Sequence, residues 1–307
     1  MSKRKTFPKK PSASRPHGHP AAARPRGAGL RDSKSHGGRP NHLSSRHPRG
    51  QGDGDAYWLY GSHPVTAALG NARRHLLRLL YTAEAATTVE SLTKGMSDRA
   101  TGLPAPERVD RDTLTHLLPE GAVHQGLAAL VRPLPAAALD EVCATLPPDE
   151  GTVLLLDQVT DPHNVGAILR SAAAFGAAAV VLTERNAAPE SGALAKAASG
   201  ALEHMPLVRV TNLARALDDL KQAGFWCVGL AAEAGETLAA IPLSGRVALA
   251  LGSEGAGLRR LTRERCDFLA RLPTGGPIAD LNVSNAAAVA LYERARSQLQ
   301  SRSGARG

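Results

Sequence analysis

Between residues 152 and 272, short unbroken apolar runs alternate with stretches of helical period. The runs are Thr152–Leu156, Ala178–Leu182, Met205–Val210, Phe225–Leu230, Val247–Leu251 and Phe268–Leu272. Val165–Phe175, Ala193–Ala201 and Leu213–Gln222 read as helices between them. A short helix follows from Leu258, and a last one runs from about Asn285 to Leu299. Strands that are apolar on both faces must be covered on both faces. The pattern therefore predicts a parallel α/β sheet. Ligands of such sheets sit beyond the carboxyl ends of the strands, where the loops converge.

Upstream the elements are shorter. Tyr57–Tyr60, Leu76–Thr82 and Gly126–Val131 read as strands, and His63–Leu69, Val89–Met96 and Thr113–Leu117 as helices. This predicts a small α/β domain over residues 56–132. Residues 133–150 hold four prolines and read as a linker. The larger domain then spans 151–300.

Charge divides the chain again. Residues 1–55 carry 13 Lys/Arg against 3 Asp, and the remainder carries 24 basic and 25 acidic residues. The basic character thus belongs to a tail rich in Pro, Gly and Ser. The tail has too little apolar surface to offset its ordering entropy, and the composition predicts disorder. Such a +10 segment is suited to a polyanion such as RNA. The longest stretch without a polar residue, Ala172–Leu182, has 11 residues, whereas a membrane span needs about 20. Cys143, Cys227 and Cys266 are isolated, so neither a disulfide framework nor a cysteine metal knuckle is expected. The histidines outside the tail are scattered without ligand spacing, and no metal is expected.

Three loops occupy the position where such a sheet binds ligands. DQVTDPHNVGAILR (157–170) leaves the first strand, with Pro162 and Asn164 suited to a helix start and Arg170 in the second turn. LGSEGAGL (251–258) is a glycine-rich turn around Glu254, with neither dinucleotide nor P-loop spacing. LPTGGPIADLNVS (272–284) opens the last helix, which Asn282 or Ser284 could simply cap. The Arg259, Arg260, Arg263 and Arg265 cluster reads as a solvated helix face.

Together these loops resemble the three signature motifs of the SpoU (TrmH-like) RNA ribose methyltransferases, at 157–177, 249–267 and 272–293. YGSHPVTAAL (60–69) and HQGLAALV (124–131) resemble the substrate-binding module of large-subunit rRNA members, which is related to ribosomal protein L30e. The resemblance implies a trefoil knot in the larger domain and a homodimer with its active site at the subunit interface. It implies S-adenosylmethionine as methyl donor and a guanosine of 23S rRNA as acceptor, in a cytoplasmic enzyme. By motif position Gly252, Leu272 and Leu281 contact the cofactor, with Leu251 and Pro273 beside them. Arg170, Asn164, Glu254, Asn282 and Ser284 match the polar catalytic positions. A guanidinium with a pKa above about 12 is a poor base. Arg170 is therefore expected to act as a phosphate clamp and charge stabiliser, positioned by Glu254 and Asn164 directly or across the dimer. Asp280 stands where many members have serine. A tRNA ribose methyltransferase, or a non-catalytic RNA-binding assembly factor of the same fold, are the alternatives.

Overall fold

The computed structural model describes residues 56–94, 102–277 and 280–303, with backbone alone for the last three. The basic tail, 1–55, and the expected helix end at Met96 lie outside the described residues.

The N-terminal lobe runs β1 (Tyr57–Tyr60), α1 (Ser62–Gly70), β2 (Leu76–Tyr81), α2 (Ala86–Lys94), β3 (Pro106–Arg108), α3 (Arg111–Leu117) and β4 (Leu127–Val131). Its strands lie in the order β1-β4-β2-β3, with β4 antiparallel to β1 and β2. The edge strand β3 has three exposed residues, Pro-Glu-Arg, and pairs parallel to β2. It carries no apolar alternation, so no pattern announced it.

Residues 133–150 contain a helix, α4 (Leu139–Thr145), whose Val142 and Cys143 pack into a core cluster of the following lobe. The C-terminal lobe then runs β5 (Gly151–Asp157), α5 (Pro162–Ala174), β6 (Ala179–Thr183), α6 (Gly192–Ala198), β7 (Leu207–Val210), α7 (Leu213–Gln222), β8 (Trp226–Leu230), β9 (Glu236–Thr237), β10 (Arg246–Gly252), α8 (Arg260–Arg265), β11 (Phe268–Arg271) and α9 (Val283–Ser303). All six predicted strands are present, and only the two-residue β9 was unannounced. The sheet order is β7-β6-β5-β10-β8-β11-β9, with every pairing parallel. The sheet is therefore the covered α/β sheet that the apolar runs predict. Every residue of β5 and β6 is buried.

The order is not sequential. β10 enters late in the chain and fills the slot between β5 and β8. It pairs with β5 over its whole length, from Arg246 opposite Gly151 to Gly252 opposite Asp157. This register brings the carboxyl ends of β5 and β10 side by side, and with them the first two loops.

The two lobes share one apolar cluster, which includes Leu59 and Val65 from the first and Leu154 and Ile168 from the second. Gly192 permits the contact. A Cβ there would lie 2.3 Å from the Trp58 carbonyl and 2.6 Å from the Tyr60 ring. A buried ionic network ties the same seam. Arg74 reaches Glu203 (Nη2–Oε1 2.7 Å) and Glu190 (Nη1–Oε1 2.6 Å), and donates to the Arg132 carbonyl at 2.8 Å. Tyr57 Oη donates to Glu190 (2.6 Å) and Asn71 Nδ2 to Glu203 (2.8 Å). Burial is the largest single influence and works against the charge on Arg74, but the hydrogen bonds to Glu203, together with the charges of Tyr57, Glu203 and Glu190, outweigh it and raise the pKa. Burial, with Glu190 beside it, pushes the Tyr57 phenol up.

No helix of the described residues is long and apolar enough to cross a membrane.

Candidate active site

The site begins with how α5 starts. Its N-cap is Asp161, whose carboxylate accepts from the His163 backbone N–H at 2.9 Å, and Pro162 occupies the first turn. Asn164, considered above as the cap, is instead inside the helix with its side chain free to reach across. Gly166, two residues on, has a packing reason. A Cβ there would lie 2.5 Å from both Ala197 Cβ and the Leu194 carbonyl, so α5 and α6 can touch only through a glycine.

The second loop turns back on β10. Ser253 and Gly257 form an isolated bridge, and Gly257 N–H donates to the Ser253 carbonyl at 2.9 Å. Gly255 and Gly257 both have positive φ. Gly252 is required by closeness, since a Cβ there would lie 1.9 Å from the Gly257 carbonyl carbon. The loop is then fixed to the end of β5. Asp157, fully buried, accepts from Arg259 N–H (3.0 Å) and Arg259 Nε (2.6 Å). Neither partner stood out in the sequence, because an aspartate ending an apolar run and an arginine in a basic cluster are both common. The other three arginines are paired too, Arg260 with Glu264, Arg263 with Glu233 and Arg265 with Asp218. That face is solvent-exposed, as the sequence suggests, and ion-paired as well. The backbone N–H of Glu233 and then Arg263 hold the Glu233 carboxyl below the usual range. Burial pushes the nearby Cys266 thiol up to about 12.

The third loop reaches the other two through Asn282. Its Oδ1 accepts from Ser284 N–H (2.9 Å) and Ser284 Oγ (2.5 Å), which caps the start of α9. Its Nδ2 donates to Glu254 Oε1 (2.7 Å) and to Asn164 Oδ1 (2.9 Å). Asn164 Nδ2 also donates to Glu254 Oε1, at 3.1 Å. The sequence left open whether Asn282 caps or takes part in a site. It does both, with different atoms. Glu254 lies six residues before α8 and is therefore not a helix-start acid.

Four of the five polar candidates thus form one connected group, Asn164–Glu254–Asn282–Ser284. Arg170 does not join it. It is exposed on α5, six residues past Asn164, hence about 120° round the helix. Arg170 has no hydrogen bond or ion pair among the described residues.

Beside the group lies a cavity of about 320 Å³, within the size range of small-ligand pockets. Leu251, Gly252, Leu272 and Leu281 line it, together with Glu254 and Asp280. Pro273 is not in its wall, but its neighbours Leu272 and Thr274 are. Apolar walls from Leu230, Leu251 and Leu258 suit a flat base. Exposed polar backbone at 253–257 and the carboxylates of Glu254 and Asp280, beside the Glu233–Arg263 ion pair in the same wall, suit a polar, cationic remainder. The residues present therefore fit a nucleoside cofactor that carries positive charge. Among the described residues no three His, Cys, Asp or Glu side chains converge as a metal site.

Comparison with known proteins agrees with this geometry. Residues 151–292 match the SpoU rRNA Methylase family, and residues 58–137 match RNA 2′-O ribose methyltransferase substrate binding. The chain is 44% identical over 239 residues to the 23S rRNA (guanosine-2′-O-)-methyltransferase RlmB of Pseudomonas aeruginosa, which covers 76% of this chain and 94% of the relative. It is 46% identical over 180 residues to the Escherichia coli K12 protein of the same name, covering 58% and 73%. Among solved structures, the SpoU methyltransferase AviRb from Streptomyces viridochromogenes, in complex with AdoMet, matches at 25% identity and a TM-score of 0.65, over 78% of this chain and 89% of AviRb. An RNA 2′-O ribose methyltransferase matches at 27% identity and a TM-score of 0.65, over 80% and 89%. Three loops that meet at the ends of one parallel sheet, and a relative aligned over nearly its whole length, lead to one conclusion: the chain belongs to the SpoU rRNA methylase family.

Proposed function

We infer that this protein transfers a methyl group from S-adenosylmethionine to the ribose 2′-hydroxyl of a guanosine in 23S rRNA. The observation that carries the reading is the hydrogen-bonded group Asn164–Glu254–Asn282, one residue from each loop, at the edge of a cavity suited to the cofactor. The relatives named above support the acceptor.

The cofactor supplies an activated methyl on a sulfonium when bound. The protein's task is to hold, orient and take up a proton. Leu251, Leu272 and Leu281 would hold the apolar part of the cofactor, and Gly252 lets the loop close behind it. Glu254 has two amide donors on Oε1 and leaves Oε2 to receive a hydroxyl or a cationic group. Asn164 and Asn282 fix its orientation. Arg170 supplies positive charge for an RNA phosphate and for the developing oxyanion.

The same reading extends to assembly. Arg170 lies outside the polar group of its own chain, and the exposed aromatic pair Phe175, at the C-terminal end of α5, and Tyr292 on α9 have centroids 6.3 Å apart. Val289 and Leu299 are exposed on α9 as well. An exposed apolar face beside an unpaired arginine supports a homodimer in which Arg170 completes the partner's site. The late insertion of β10 between β5 and β8 supports a trefoil knot. The small lobe and the +10 tail would engage RNA, and the enzyme would work in the cytoplasm, where rRNA is processed.

Purified protein, labelled S-adenosylmethionine and a 23S rRNA transcript test the central claim. Label is expected on a guanosine 2′-oxygen. Incorporation only into tRNA, or none despite cofactor uptake, refutes it.

A further inference from the structure

At the seam between the lobes, away from the cavity, a second polar group has no role in the chemistry above. Its centre is Gln125, in the His124-Gln125-Gly126 turn. Gln125 has φ +53°, a left-handed conformation that is uncommon for a side chain of this size. The turn is held by His124, buried, whose Nδ1 accepts from Gly126 N–H at 3.1 Å. Gly126 admits no larger residue, since a Cβ there would lie 2.5 Å from Thr82 Oγ1. The fixed turn aims the Gln125 amide oxygen at α1 and α6.

Three donors meet on that one oxygen. Ser62 N–H, Ser62 Oγ and Lys196 Nζ each lie 3.1 Å from Gln125 Oε1. An amide oxygen has two lone pairs, and an ammonium has three protons to place. The spot is therefore rich in donors and poor in acceptors. Lys196 has no carboxylate partner among the described residues, whereas Lys221 has Asp267 at 3.2 Å. It is also partly desolvated. Its ammonium is pressed on Gly61, where a Cβ would lie 2.3 Å from Nζ, and burial lowers its pKa. A cation that has lost water and gained only a neutral oxygen is suited to an anion. The surroundings are cationic as well. After burial itself, Arg111 is the largest influence that holds the His124 pKa down, with Lys196 acting in the same direction and Glu84 in the opposite one.

We propose that Ser62, Gln125 and Lys196 form a clamp for one backbone phosphate of the substrate RNA, at the seam between the lobes. The clamp rests on the RNA reading above and extends it to a named contact. Docking of the lobes does not require it, because the Arg74 network and the shared apolar cluster already fix the seam. Ser62 and Gln125 from the first lobe and Lys196 from the second meet at the same phosphate, so the clamp sets the RNA's register between the recognition lobe and the methyl-transfer site. It carries no base preference.

The test uses the full-length protein and a 23S rRNA fragment that the wild type methylates. Lys196→Gln keeps a long stem and a donor but loses the charge. It is expected to weaken RNA binding about five- to tenfold near 0.1 M salt, and to reduce the slope of log K against log salt by about 0.7–0.9. KM for RNA rises while kcat and the Kd for S-adenosylmethionine stay near wild type. Lys196→Arg restores the slope. An unchanged slope in Lys196→Gln overturns the clamp. So does a fall in Tm with an unchanged slope, which would make Lys196 a lobe fastener. Competition by millimolar inorganic phosphate at constant ionic strength would indicate a free-ion site and also overturns it. Should the wild type bind no rRNA, the preceding reading fails as a whole. Should it bind and methylate while the variant keeps its slope, the clamp alone fails.

Discussion

The Arg74 network at the seam and the Asn164–Glu254–Asn282 group at the strand ends are both built on carboxylates that accept several donors. At the seam, Arg74 is 5% exposed and Glu203 4%, and both Glu203 oxygens are engaged. At the strand ends, Glu254 and Asn282 are exposed, only one Glu254 oxygen is engaged among the described residues, and a cavity adjoins it. Around Glu203 the first network has no capacity left, and its work is to join two lobes. The second has capacity to spare and solvent to exchange for a ligand. Spare hydrogen-bonding capacity, more than the density of polar contacts, separates a site from a fastener. Among the described residues no buried side-chain nitrogen or oxygen lacks a partner, so such capacity is confined to the surface.

Mutations can break this contrast. The largest effect is expected from Arg74→Ala, which strands Glu203 and Glu190 at the seam. Loss of one partner from a buried ion pair costs about 3–5 kcal/mol, to be read as a lower urea midpoint at unchanged cofactor affinity. Should the midpoint hardly move, the seam network is not a fastener. Glu254→Ala should do the reverse. Methyl transfer falls about 10²–10³-fold, as for loss of a preorganised charge contact, while unfolding free energy shifts by less than about 0.5 kcal/mol. Arg170→Ala is expected to match it in rate, with fold and cofactor uptake intact. Near-wild-type turnover would remove either residue from the mechanism. Gly252→Ala sharpens the comparison from the backbone side. The added methyl overlaps Gly257, costs about 1–3 kcal/mol as overpacking, and weakens S-adenosylmethionine binding measured by calorimetry.

The smallest effect concerns His124. Burial holds its folded pKa below the ordinary 6.5, so the unfolded chain takes up the proton first. Stability is therefore full above pH 6.5 and declines as pH falls from there toward the folded value. Denaturant midpoints measured between pH 8 and 5 should show this decline, and His124→Asn should reduce it.

The sheet was legible because short apolar runs such as Thr152–Leu156 and Val247–Leu251 alternate with stretches of helical period, a pattern that suits strands covered on both faces. The small edge strands were not, because Pro106–Arg108 and Glu236–Thr237 bury nothing that a pattern could report. Within the site, Glu254, Asn164 and Asn282 were legible only jointly, through three motifs in order. Their contacts with one another depend on the β5–β10 register, which no local pattern contains. Asp157 and Arg259 went unnoticed for the same reason, since their pairing spans 102 positions of chain. Gly252 stood out in a glycine-rich loop, whereas Gly166, which lets two helices touch, carried no signal of its packing role.

The placement of β10 has a consequence for how this protein comes into being. Until residues 246–252 leave the ribosome, β5 lacks its neighbour on one edge, and β8, whose sheet partners are β10 and β11, has no partner at all. None of the three loops has its final neighbours before then, so a nascent chain of two hundred and forty residues holds α1 to α7, but neither α8 nor the 21-residue α9, and no binding competence. Closure demands contacts between distant stretches of chain, which slows folding. The donor molecule, captured only by the finished sheet, should therefore act as a late reporter of folding, appearing after helical signal has saturated.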